Sequence, residues 1–274
     1  MKHGYLKAAC LLVLTITSCK KEEGQTPSKP HPVQTAPQFL LKKIEYKSGI
    51  NGWLTYNTDS SIKTIIYENG SAGQETFFDY QDKKLVKTGY VGSLHTTLYT
   101  YDNNNRVIKM HIKQVETIPG TSYSLEYTYN SKGQVAEQKF YVINEAGTKH
   151  RGTSTYQYNA QNLITRVVTL DGQHKYTWDI EAYSDEYSVS PWVFVNTYLS
   201  EFYAIYNYPV ISSMNRLPAK LRRTAQLNGG TPKVDRIDQQ KYEITGKKIN
   251  KLIAIVDFPG HPELHATDTA FFKY

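Results

Sequence analysis

The densest set of metal-ligand side chains in the chain is His261-Pro262-Glu263-Leu264-His265. Two histidines four apart share one face of a helix and could hold zinc through imidazole nitrogens. Pro262, with Pro259-Gly260 before it, favours a loop, where that spacing sets no geometry. No metal and no cofactor are expected from it. Four acids, Asp179, Glu181, Asp185 and Glu186, fall within eight residues. Glycoside hydrolysis needs two carboxylates about 5–9.5 Å apart, a separation that spacing in a loop region does not fix. A carboxylate-based hydrolase acting on envelope or extracellular polymers is therefore the alternative reading. No Ser or Cys lies in a nucleophile motif, and no glycine-rich phosphate loop occurs, Asn228-Gly229-Gly230 reading as a turn. No catalytic residue is assigned.

Aromatic residues are the remaining chemistry, with 23 Tyr, 9 Phe and 3 Trp. Exposed rings stack on sugars, but most of these tyrosines are explained by strand propensity and cross-strand packing. The group from Trp192 to Tyr208 is less well explained. Trp192, Phe202 and Tyr206 are the candidate ligand-binding aromatics, either core or the lining of a groove.

The elements that must carry these residues begin with a targeting segment. Lys2 and Lys7 precede a short apolar run at 8–16, too short for the roughly 20 residues that span a bilayer but suited to a signal peptide. Ile16-Thr17-Ser18-Cys19 resembles the lipobox of bacterial lipoproteins. It implies removal of 1–18 and lipid attachment at Cys19. Cys10 lies in the segment removed, so the mature domain has no thiol to spare. Residues 19–38 then form the lipidated Cys and a Pro-rich tether, with Pro27, Pro30, Pro32 and Pro37, which cannot pack a core. Lys20-Lys21-Glu22-Glu23 resembles the signal that sends some Bacteroidetes lipoproteins to the cell surface. An outer-membrane location is expected, with surface display favoured over the periplasmic face. The membrane is then a partner through lipid, and a glycan or an envelope protein is the soluble partner to seek.

Net charge is +7, spread among acids, with Lys220-Leu221-Arg222-Arg223 the one tight basic cluster. Nucleic-acid binding wants a denser stripe, and none is expected.

Residues 39–274 read as one β-rich repeat domain. Leu54-Thr-Tyr56-Asn, Phe78-Asp-Tyr80-Gln, Tyr99-Thr-Tyr101-Asp, Tyr127-Thr-Tyr129-Asn and Tyr156-Gln-Tyr158-Asn are each followed, six positions after the second aromatic, by Ile62, Val86, Val107, Val135 and Ile164. A looser copy runs from Tyr242 to Ile249. The alternation is that of a strand, and Asx opens a turn, so each unit is a hairpin. Consecutive hairpins predict a mainly β, curled antiparallel meander of about twelve strands, open or barrel-like. Residues 183–230 break the pattern. Ser190-Pro191 starts a helix, Trp192, Val195, Leu199, Phe202 and Tyr206 fall on one face, Pro209 ends it, and Pro218 lies in loop. A membrane-spanning barrel is disfavoured, because Lys, Gln and Glu interrupt most strands on either face.

The Tyr99–Val107 and Tyr127–Val135 units resemble the tyrosine–aspartate (YD/Rhs-type) repeat. The whole arrangement of lipobox, tether, hairpins and late Pro/aromatic insertion resembles Bacteroidetes lipoproteins of unknown function. One such family is a domain of unknown function with a porin-like fold (DUF4595). The resemblance implies a fold for residues 40–274 and brings no catalytic residues.

Overall fold

The computed structural model describes residues 39–70, 72–113, 120–195 and 201–274. The signal peptide, Cys19 and the tether therefore lie outside the described residues. The first eight strands are β1 (Lys43–Tyr46), β2 (Ile50–Tyr56), β3 (Ile62–Asn69), β4 (Ala72–Gln81), β5 (Lys84–Tyr90), β6 (Thr96–Tyr101), β7 (Val107–Lys113) and β8 (Ser122–Tyr129). Then follow β9 (Val135–Asn144), β10 (Gly147–Tyr158), β11 (Ile164–Asp171), β12 (His174–Glu186), β13 (Arg216–Gln226), β14 (Lys233–Thr245), β15 (Lys248–Asp257) and β16 (Ala266–Lys273). Each strand pairs antiparallel with its sequence neighbours, and β1 pairs with β16 through Ile44 and Phe272, closing the barrel. The meander is as expected. It has sixteen strands rather than twelve, and it closes completely.

The repeat has a geometric cause. Asp102, Asn130 and Asn159 each accept the backbone N–H groups two and four residues ahead, shaping the turn. Asn105, Gly133 and Asn162 take the left-handed φ that these turns require (61°, 77° and 64°). A bulge follows, so that the second aromatic faces the aliphatic residue six on: Tyr56 opposite Ile62, Tyr101 opposite Val107, Tyr129 opposite Val135, Tyr158 opposite Ile164. The second copy departs from this. Asp82 and Lys83 both have positive φ and make a two-residue turn, so Tyr80 faces Leu85 and not Val86.

The phenol explains why this position is tyrosine. Each ring leans over the preceding hairpin, and its hydroxyl donates to a carbonyl there. Tyr56 bonds Leu41, Tyr101 bonds Leu85, Tyr129 bonds Val107, Tyr158 bonds Val135, Tyr183 bonds Ile164, Tyr242 bonds Pro218 and Tyr274 bonds Ile249, all at 2.6–3.2 Å. A ladder of phenols thus stitches successive hairpins around one end of the barrel. Replacing Tyr158 by Phe keeps the ring and deletes one rung. The expected cost is about 0.5–1.5 kcal/mol, read as a lower urea midpoint at unchanged m-value.

The insertion at 187–215 is not the single helix that its spacing suggests. Pro191–Val193 and Glu201–Tyr206 are 3₁₀ turns, and α1 is a short helix at Tyr208–Ile211. Pro209 sits in the first turn of α1 and so begins a helix rather than ending one. Pro218 lies in a strand. It pairs with Tyr183, where β12 is repeatedly bulged, so the missing N–H interrupts little.

The insertion fills the barrel. Trp192 stacks on Tyr208 (4.4 Å between centroids, 13° between planes) and meets Phe78 of β4 and Tyr99 of β6 edge-on. Ala204 O lies 3.1 Å from the Tyr156 hydroxyl of β10, and Asn207 donates to Gln138 of β9 at 2.8 Å. Phe194 packs near Phe272 of β16. One segment therefore touches strands on every side of the lumen and acts as a plug. It joins β12 to β13 at the end where the Asx turns lie, and the chain enters β1 and leaves β16 at that same end.

Candidate functional site

Beyond the plug the inward residues of the strands line the remaining part of the lumen, the chamber, toward the loops of the far end. The plug's upper limit is marked by Gln240 of β14, which donates to the Tyr206 hydroxyl at 3.0 Å. One step further along β14, inward-facing Asp238 and Arg236 begin a charged patch. Arg236 forks onto Asp238 (2.7 and 3.0 Å), and Arg223 of β13 forks onto Asp235 (2.8 Å twice). Trp178 of β12 lies across from Arg223, and the Arg223 and Arg236 guanidinium carbons are 5.5 and 5.7 Å from its ring centroid. Tyr176 lies beside Arg223, and Phe258, from the β15–β16 loop, beside Arg236. Arg236 and Asp238 are almost enclosed, with 14% and 7% of their side chains exposed. Burial pushes the Asp238 carboxyl up, against the opposing pull of Arg236 and Arg223.

Two bidentate ion pairs within a wall are weak evidence for stability, since desolvation offsets much of the attraction. What they supply is fixed donor geometry. Trp178 is 2% exposed, and its indole N–H has no hydrogen-bond partner. Phe258 also lines a depression of about 490 Å³ at the 257–265 loop, with Asp257, Pro259, Gly260, Pro262 and His265. The patch holds aromatic faces, oriented donors and two carboxylates.

The residues singled out from sequence fall elsewhere. Trp192 is buried inside the plug at 6% exposure. Tyr206 is half-buried where plug and chamber meet. Phe202 lies in the Glu201–Tyr206 turn, and its side chain is outside the described residues. The four acids are on β12 rather than in a loop, and they do not line a common cleft. Asp179 and Glu181 face outward and are held by Arg166 (2.6 Å), Lys220 (2.8 Å) and Arg222 (2.9 Å). The hydrogen bond from Lys220 keeps the Glu181 carboxyl below the usual carboxylate range. Glu186 pairs with Lys247 at the plugged end.

His261 and His265 do not share a helix face. Each has its own acid, Glu263 and Asp257, and among the described residues no group of three His, Cys, Asp or Glu is close enough to hold a metal. The basic run at 220–223 is divided by the strand, Lys220 and Arg222 outward, Leu221 and Arg223 inward.

The outer face decides how the barrel meets its solvent. Rows of outward partners run across the wall, such as Glu243–Lys251–Phe271–Glu45–Asn51–Glu68. A second row is Thr100–Lys109–Glu126–Lys139–Thr153–Leu170–Lys175. A lipid-facing wall needs an apolar band about 25 Å tall; these rows place charges across it. Among the described residues no helix is long and apolar enough to cross a membrane.

Fold and chamber together define a class: a closed, internally plugged meander barrel of porin-like shape. Solved structures of that shape exist. The chain is similar to a porin-like protein from Bacteroides vulgatus (TM-score 0.58, 11% identity, 86% of this chain and 99% of that one). It is also similar to a porin-like protein from Bacteroides uniformis (TM-score 0.54, 14% identity, 85% and 96%). At these identities the likeness is one of fold. No family model matches the chain, and no curated protein matches it.

Proposed function

We propose that this chain is a non-enzymatic lipoprotein of the bacterial outer membrane, anchored through Cys19, whose barrel stands in water and whose chamber holds a ligand. The observation that carries the reading is the charged outer wall around a lumen plugged at the end where the chain enters. A through-pore would need an open lumen and an apolar girdle. A binding vessel needs a floor and a mouth.

The lipobox-like Ile16–Cys19 supports the anchor, and Lys20-Lys21-Glu22-Glu23 supports display at the cell surface. The Tyr-x-Tyr-Asx hairpins and the late Pro/aromatic insertion support kinship with YD-type repeats and with the DUF4595-like lipoproteins. A glycan is the ligand class that the aromatic and bidentate polar side chains suit; an envelope protein is the other partner. The hydrolase reading has lost its geometry, since Asp179 and Glu181 are tied to cations on the outer wall.

Residues 39–274, expressed without lipid, should be recovered as a water-soluble monomer and should show saturable binding on an array of glycans and envelope polymers. A need for detergent would place the barrel in the bilayer. A soluble, folded barrel that binds nothing on the array would make the protein a scaffold for protein partners.

A further inference from the structure

The two ends of the barrel differ in what they show to water. Among the described residues the turns of the plugged end, such as 57–61, 102–106 and 130–134, are polar and carry no exposed large apolar side chain. The loops of the opposite end do. Val91 and Leu94 of the β5–β6 loop, Leu227 of the β13–β14 loop and Leu264 of the β15–β16 loop are 52–67% exposed. Their counterpart at the plugged end is Leu40, ahead of β1, while Trp53, Leu98 and Leu170 stand singly on the wall. A lone exposed apolar residue is ordinary on a protein surface. Four on loop tips of one end, with polar turns at the other, give the barrel a direction.

The tips are too far apart to form one small patch. The β5–β6 and β13–β14 loops lie eight strands apart in a ring of sixteen, on opposite sides of the rim. A partner that covers both must be as wide as the barrel and must accept scattered aliphatic side chains without a pocket for each. A lipid surface does both, since apolar side chains sink into the boundary between headgroups and acyl chains. A bilayer is also within reach. Residues 20–38 separate Cys19 from the described chain, and nineteen residues reach up to about 65 Å. The longest wall strands have thirteen residues and run about 43 Å. The tether joins the barrel at the plugged end, yet it is long enough to pass the full height of the wall and let the far rim down onto the membrane. Tethering makes that contact intramolecular, so weakly held tips suffice.

We propose that the far rim docks on the bilayer that carries the Cys19 lipid, with Val91, Leu94, Leu227 and Leu264 entering its interface while the charged wall stays in water. The proposal rests on the reading of the chain as a lipoprotein and adds the surface that its far end faces. Four aliphatic tips make a reversible contact, so this end alternates between lipid and water.

The test uses the full, acylated chain in vesicles of phosphatidylethanolamine and phosphatidylglycerol. Removal of 1–18 and acylation of Cys19 leave no free thiol, so one introduced cysteine takes a fluorophore without competition. Leu94→Cys and Leu227→Cys report opposite sides of the rim, and Lys132→Cys reports the plugged end. Both rim probes should be quenched by nitroxides on the lipid chains and shielded from aqueous iodide, and the Lys132→Cys probe should show the reverse. Adding Val91→Ser, Leu94→Ser and Leu264→Ser to Leu227→Cys should lower the ratio of docked to free rim at least about tenfold, because three aliphatic side chains no longer leave water. All three are exposed, so the barrel should fold unchanged.

Rim probes as open to iodide as the Lys132→Cys probe overturn the proposal. Rim probes shielded from iodide but unquenched by lipid overturn it too and point to a protein over the rim. Undiminished lipid quenching in the serine variant shows that the tips do not drive the contact, and this also overturns it. Mass spectrometry of the same sample separates the two readings. An unacylated Cys19 fells the lipoprotein reading and the proposal together, whereas an acylated chain with a water-exposed rim fells the proposal alone.

Discussion

Trp192→Ala should destabilise the protein by about 3–5 kcal/mol, the usual range for deleting a large buried aromatic. The residue is the centre of the plug. It stacks on Tyr208 and meets Phe78 of β4 and Tyr99 of β6 on one stretch of the wall, so its removal opens a cavity that several partners line. Phe78 and Tyr99 belong to a closed barrel and cannot collapse inward without straining the sheet, which favours the upper end of the range. Thermal unfolding and urea titration read the loss. A sharper readout is proteolysis within 187–215, because a plug that has lost its central contact opens locally before the barrel melts. A loss under about 1 kcal/mol, with unchanged proteolysis, would mean that the plug does not depend on this packing.

The second large effect is alkaline unfolding. The ladder phenols are all pushed up by burial; Tyr56 and Tyr274 reach about 12, and the others rise as well. An unfolded tyrosine titrates near 10. Between these values the unfolded chain loses protons that the folded chain keeps, so stability falls as pH rises. The contribution is fully present below pH 10; that of Tyr56 and Tyr274 is lost as pH rises through about 12, and that of the other rungs at still higher pH. Because the residues act together around one rim, the expected result is a cooperative transition in that window, with phenolate absorbance appearing as the β signal in circular dichroism disappears. A variant with several rungs changed to Phe should be weaker at neutral pH yet less sensitive to alkali. Phenolate absorbance that rises smoothly from pH 10 with the β signal intact would show the rings to be accessible to base in the folded barrel.

The hairpins were legible because a short local rule generates them. Asx at the turn, an aromatic at the bulge and an aliphatic residue opposite are all set within ten residues, and local rules survive in a single sequence. The rule slipped at Leu85 for a local reason too: the Asp82-Lys83 turn is tighter than its siblings. Closure was less legible, since the pairing of Lys43 with Lys273 joins opposite ends of the chain. The insertion misled because apolar spacing was read as a helix, whereas its rings are placed by a lumen that surrounds them. Five apolar residues at spacings of 3 and 4 mean an amphipathic face only if the element has one neighbour. The Trp178 patch was missed for a related reason. Arg223 was counted with Lys220 and Arg222 as one basic cluster, and strand alternation sends it to the other side of the wall. Applying period two to the run at 220–223, and to Trp178 opposite, would have placed an arginine and an indole together inside.

The seam between β1 and β16 has a temporal consequence. Every other junction in the wall joins neighbours in sequence, so hairpins can assemble one after another from the N-terminal side. The seam alone must wait for β16, and until then β1 keeps a free edge. That edge is the place where such a chain would recruit the wrong partner. It is kept short, at four residues, and it presents Lys43 and Glu45 outward. The weakness of β1 as a strand is thus a safeguard during assembly, and the aromatic end of the chain is the latch that makes the wall continuous.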